Sequence, residues 1–237
     1  LSKDPKLSFL FASNQPEMIR ASCVQRSMDQ YPSSSQFFRD CAGGSSGKHH
    51  VPKACTNENY VELTANSFNL AARCLSPEIT GSSDHRENQE MSLQIFQLLT
   101  HESGLHMNAT SHTSAAGPGQ MTNDGISGAN KRLPYIRNRL MKSKDPGCQQ
   151  LAQILEKPLK ADSKYFCDRI SSGNGNPLKG MAYAFLYQYT TRDYLDSTVF
   201  DSKMFQYIKQ DLSISESARL KGALQIWAHN TGTAGMK

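Results

Sequence analysis

The chain has 237 residues, 38% of them hydrophobic and 20% charged, with a mean hydropathy of −0.56 and a formal net charge of +5. It is long enough to bury one sizeable core, and no apolar run approaches the roughly 18 residues that a membrane span needs, so no membrane span is expected. The basic balance favours an anionic partner, and the length suits one domain at 86–237 behind a helical and loop extension at 1–85 better than two full domains.

In chain order, the opening on Leu1 rather than Met reads as a mature or trimmed form. Residues 1–55 are irregular apart from a helix expected over 17–30, which Pro16 starts well. The Ser-, Gly-, Lys- and His-rich stretch 31–54 reads as loop. Its GGSSGK run fails as a phosphate loop because Lys48 is followed by His49 rather than Ser or Thr. His49 and His50 have no evident metal partner. Apolar spacing predicts further helices over 59–73, 91–99, 149–155, 163–170, 178–189, 202–210 and 216–229. The architecture is therefore mainly α, with at most a short β-ribbon after the helix at 91–99.

Lys131, Arg132, Arg137, Arg139, Lys142 and Lys144 form a basic cluster expected along a helix, where it either lines a cleft or is a solvated face. Nucleic acid is disfavoured, since Tyr135 is the only stacking aromatic in that stretch. The cysteines at 23, 41, 55, 74, 148 and 167 show no Cys-x-x-Cys pair and no zinc-finger spacing, so neither a metal nor a cofactor is expected. An even count at wide spacing reads as disulfides in an oxidising compartment. Of the fifteen possible connectivities, the sequential one is expected: Cys23 with Cys41, Cys55 with Cys74 and Cys148 with Cys167. Each would close a loop of about 20 residues worth roughly 3 kcal/mol.

The most informative stretch is 102–120 (ESGLHMNATSHTSAAGPGQ). The helix over 91–99 carries Glu102 near its C-terminal end, and Gly104 supplies a helix-ending residue. A carboxyl among apolar neighbours, at the negative end of a helix dipole, should have a raised pKa. That is the state a general acid needs. The competing reading is a solvated glutamate at a helix end.

Glu102, Ser103, Ala109, Ser111, Ala115, Gly117 and Gln120 fall without a gap on the pattern of the lysozyme-like superfamily of lytic transglycosylases and goose-type lysozymes, which this stretch resembles. Two later segments are similar to that family's motifs in the same order. Residues 176–186 (NPLKGMAYAFL) put Gly180 and Tyr183 on its Gly and Tyr, and 223–232 (ALQIWAHNTG) put Asn230 and Gly232 on its Asn and Gly. The resemblance spans some three fifths of the chain, from Met91 on. Two departures stand out. His229 occupies the place of a Tyr that helps position the catalytic Glu, and can do the same while adding a group that titrates near neutrality. Pro118 and Gly119 replace Leu-Met, removing apolar bulk from the cleft wall.

The resemblance implies an α+β lysozyme-like fold with a short β-ribbon near the catalytic helix and a disulfide-supported N-terminal extension. It implies a secreted or periplasmic, monomeric enzyme that cuts peptidoglycan glycan strands, with Glu102 as acid/base. Ser103, Ser111 and Gln120 would shape or bind the cleft, and Tyr183, His229 and Asn230 would orient Glu102 or the sugar. Glycosidases that use two carboxylates hold them about 5 to 9.5 Å apart. Goose-type enzymes place an Asp two residues after the motif Gln, where this chain has Thr122. Asp124, in a Thr-Asn-Asp-Gly turn, is the nearest second candidate, although that is a favoured turn sequence whatever the function. Without a second carboxylate the transglycosylase route stays open, ending in an anhydro sugar. A glycan-binding module that does not cut, and a hydrolase of a chitin-like or partly deacetylated polymer, are the alternatives.

Overall fold

The computed structural model describes residues 10, 18–29, 60–107, 109, 115–161, 168–169 and 175–231. They form helices α1 (Ala21–Asp29), α2 (Tyr60–Thr80), α3 (His85–Ser103), α4 (Asn123–Met141), α5 (Pro146–Ile154), α6 (Pro177–Leu195), α7 (Lys203–Gln210) and α8 (Ile214–Thr231). A five-residue π-helical turn, Asp196–Phe200, extends α6. The described part of the molecule is mainly helical.

Residues 178–186 (LKGMAYAFL) are apolar on nearly every side of a helix, and such a helix has to be surrounded. In α6 all nine are buried. Its chief neighbour is α2, with α4 on another side. Phe68 of α2 joins the layers, with its ring centroid 5.4 Å from that of Phe96 on α3 and 5.3 Å from that of Phe185 on α6. Buried residues on both sides of position 85 belong to this one cluster, Val24, Leu63 and Phe68 with Leu99, Ile136 and Phe185. The core therefore runs across the boundary expected at 85/86. A smaller cluster, Leu195, Phe200, Phe205 and Ala228, closes the far end of α6 against α7 and α8.

Several elements differ from expectation. The turn at 122–125 is the start of α4: Thr122 is its N-cap and accepts from Gly125 N at 3.2 Å. The helix over 163–170 fails at Asp168 and Arg169, which pair antiparallel with Asn176 and Gly175 in a two-stranded pair, β1 (Asp168–Arg169) and β2 (Gly175–Asn176). Closer to α3 there is a single isolated bridge, Ala116 with Met121.

The disulfide pairing is corrected too. Cys74 on α2 bonds Cys148 on α5, and Cys23 is a free thiol, so none of the three sequential pairs forms as expected. Cys41, Cys55 and Cys167 lie outside the described residues. The physical reason is that α2 and α5 are packed side by side, which local spacing cannot reveal. A bridge across 74 residues also constrains the unfolded chain more than a loop of about 20 would, by about 4 kcal/mol against about 3 in the chain-entropy account.

Candidate active site

α3 begins on the N-cap Asp84 and ends on Gly104, which takes φ 60° and gives its N–H to Thr100 O at 3.0 Å. Leu105, at φ 67°, continues the left-handed course and gives its N–H to Leu99 O. That pair of residues reverses the chain, and a non-glycine there is strained. Glu102 thus sits on the last turn of a rigid helix, half-buried, just before the reversal.

Ser103 is fully buried. Its Oγ lies 2.7 Å from Pro118 O and 3.1 Å from Leu99 O as donor, and accepts from Leu105 N at 3.1 Å. It staples the Gly-Pro-Gly-Gln turn to the helix end and does not face a cleft. Gln120, at φ 46°, spends its amide on Ala109 O and Gly117 O at 3.2 and 3.0 Å, closing its own loop. Pro118 and Gly119 are both buried, and a Cβ on Gly119 would lie 3.4 Å from Leu99 Cδ2 and 3.6 Å from Ala184 Cβ. The turn thus packs on the core.

His229 arrives from α8. Its Nε2 lies 3.9 Å from Glu102 Oε1, too far for a hydrogen bond. The ring is hydrogen-bonded instead to the Gly119 backbone and, through Nδ1, to Gln188 Nε2 at 2.9 Å. Burial pushes its pKa down from 6.5 to about 4, against the Gly119 bond, so it is neutral at pH 7. This corrects the expectation of a group titrating near neutrality: an imidazole whose side chain is 5% exposed is too poorly hydrated to carry charge there. Burial likewise pushes the Glu102 carboxyl up, with His101 pulling weakly the other way.

Tyr183 is completely buried. Its hydroxyl donates to Asn130 Oδ1 and accepts from Leu159 N at 2.8 Å, tying α6 to α4 and the chain after α5. The tyrosine beside the acid is Tyr187, one helical turn on. Its ring centroid stands 5.0 Å from that of His229, and burial together with the Glu102 charge raises its pKa. Gly125 on α4 makes room for this ring, since a Cβ there would come within 2.9 Å of Tyr187 Cε2. Tyr187 was missed because the motif spacing stops at Tyr183; the small residues Gly125 and Gly128, one turn apart on α4, were the available signal for a close approach.

Asp124 is exposed in the first turn of α4. Ser111 and Gly232 lie outside the described residues. Asn230 is in α8, but its side chain also lies outside them. The basic cluster runs along α4 and just past it. Arg132 pairs with Asp193, Arg139 with Glu78 at 2.5 Å, and Arg137 donates to Ala152 O at 3.0 Å, so half of it holds helices together. Among the described residues no group of three His, Cys, Asp or Glu is placed to hold a metal ion, and no helix is long and apolar enough to cross a membrane.

The structure therefore brings together Glu102, His229 and Tyr187, with Ser103 and Gln120 building the turn behind them. A carboxyl with raised proton affinity beside a neutral imidazole is suited to give up a proton and take it back. No protein-family model, no curated protein and no solved structure matches this chain.

Proposed function

We propose that the chain cleaves the β-1,4 link between N-acetylmuramic acid and N-acetylglucosamine in peptidoglycan, with Glu102 as acid and then base. The observation that carries this reading is the half-buried Glu102 carboxyl, its pKa raised by desolvation, on a rigid helix end 3.9 Å from an uncharged His229. The ordered likeness of three segments to lysozyme-like enzymes supports the substrate class, and the net charge of +5 suits an anionic wall. The Cys74–Cys148 disulfide suits an oxidising, secreted or periplasmic setting.

Glu102 in its protonated form gives its proton to the glycosidic oxygen as the C1–O bond breaks. The carboxylate left behind then takes a proton from the attacking group. We take the route that needs no second carboxylate, in which the sugar's own 6-hydroxyl attacks C1. That route leaves an anhydro end; attack by water would leave a reducing end.

Mass spectrometry of soluble products from purified wall sacculi, native and deacetylated, is the test. Anhydro muropeptides are expected from the wild type, and a loss on the order of 10³-fold from Glu102→Gln. Equal release by both proteins would remove Glu102 from its role, and no release from either wall would leave a glycan-binding module as the better account. Release from the deacetylated wall alone would move the substrate to a modified polymer.

A further inference from the structure

Deeper than Glu102, two buried glutamines from different helices meet His229, and no step of the proposed reaction uses them. Gln188 of α6 and Gln225 of α8 are each 2% exposed. Gln225 Nε2 lies 3.0 Å from Gln188 O and 3.2 Å from Gln188 Oε1, donating to both. With its amide oxygen engaged as acceptor, Gln188 turns Nε2 toward His229 Nδ1, 2.9 Å away.

We propose that Gln225 and Gln188 are positioning residues that fix the tautomer of His229, holding Nδ1 as an acceptor and the proton on Nε2, facing Gly119 and Glu102. This deepens the glycosidase reading and rests on it. An amide nitrogen only donates, so the nitrogen it meets must be bare, and a neutral imidazole then carries its hydrogen on the other one. The far side of the ring is consistent with this. Nε2 lies 3.9 Å from the Glu102 carboxyl oxygen, and with Nδ1 taken by Gln188 it is the nitrogen left to give its hydrogen to the Gly119 backbone.

Gln225 Oε1 is buried without a hydrogen-bond partner among the described residues. Reversing that amide would turn the oxygen of Gln225 toward Gln188, reverse Gln188 in turn and move the imidazole proton to Nδ1. The orphaned oxygen is the cost of keeping the chain of donors pointed at the acid. The titratable groups facing the imidazole are Glu102 from α3 and Tyr187 from α6. His229 thus keeps an uncharged N–H on the side of Glu102, 3.9 Å from the carboxyl oxygen and beyond hydrogen-bond reach of it in this state.

Nitrogen NMR of histidine-labelled protein reads the tautomer directly, and sugar release is measured on the same samples. The wild type is expected to show neutral His229 with its hydrogen on Nε2 at pH 7. Gln188→Glu places a carboxylate against Nδ1, which should draw a proton there and raise the His229 pKa by about 1 to 3. Release should then fall on the order of 10²-fold, in kcat rather than KM, with the fold retained by circular dichroism. Gln225→Met should let both tautomers appear, with a smaller loss. A hydrogen on Nδ1 in the wild type overturns the proposal without any variant, and so does an unchanged tautomer in a folded Gln188→Glu. If the tautomer is as stated and shifts in the variants, but no protein releases sugar, the positioning stands and the glycosidase reading falls.

Discussion

The two flanks of α6 are built from opposite materials. Toward α2 the helix presents Met181, Phe185 and other apolar side chains to a layer that the Cys74–Cys148 bridge ties to α5. Toward α8 and the end of α3 it presents Tyr187 and Gln188, which meet His229, Gln225 and the acid. Apolar burial scales with area and tolerates small shifts, so the first flank sets how stable the molecule is. Buried polar groups must each find a partner, so the second flank sets the proton affinity of one carboxyl. Damage to one flank should leave the property of the other intact.

Cys74→Ser attacks the first flank. It should cost about 4 kcal/mol in urea unfolding, while the pH profile of sugar release by the folded fraction stays where it was. A displaced profile would mean that the two flanks are coupled.

A pH titration of stability attacks the second. His229 is depressed to about 4 in the fold, so between 4 and 6.5 the unfolded chain binds more protons. Its contribution, about 3 kcal/mol, is complete above 6.5 and lost as pH falls toward 4. Glu102 has the opposite sign: its raised pKa favours the fold at low pH and weakens it as pH rises past 4.5, where the unfolded carboxyl ionises. Denaturant melts across this window should therefore steepen in Glu102→Gln and flatten in His229→Gln. Parallel curves for the two variants would refute the assignment of opposed charges.

Gly125→Ala is a finer probe, since its Cβ meets Tyr187 Cε2 at 2.9 Å and must push the ring toward the acid. About a tenfold loss of release is expected with about 1 kcal/mol of stability lost. Gly222→Ala on α8 should do least. Its Cβ overlaps the amide end of Gln94, which is partly exposed and can swing aside. Better helix propensity, worth about 1 kcal/mol, offsets the displacement. Calorimetry should find a shift within about 1 kcal/mol; a larger loss would show that α8 seats on α3 too tightly for that exchange.

Local chemistry made part of this legible in the sequence. The apolar spacing of 91–99, Gly104 as its stop and the desolvated carboxyl just before it all follow from neighbours within one or two turns. Tyr183 shows where such reasoning stops. It and Tyr187 are one turn apart on one helix, and only the position of α4 decides which ends in the core and which beside Glu102. Ser103 read as a cleft residue because its hydroxyl's partner, the Pro118 carbonyl, depends on how the turn folds back. The Cys74–Cys148 pairing and the depressed pKa of His229 both come from helices that meet only in three dimensions, so no spacing along the chain carries them.

The staple between Ser103 and Pro118 is local, whereas His229 follows Glu102 by more than a hundred residues. Synthesis runs from the N-terminus, so the segment that builds this turn leaves the ribosome before the imidazole does. A nascent chain that ends before α8 holds its carboxyl without the neutral neighbour that completes the site. The buried environment of this carboxyl is then completed only when α8 has packed against α3 and α6.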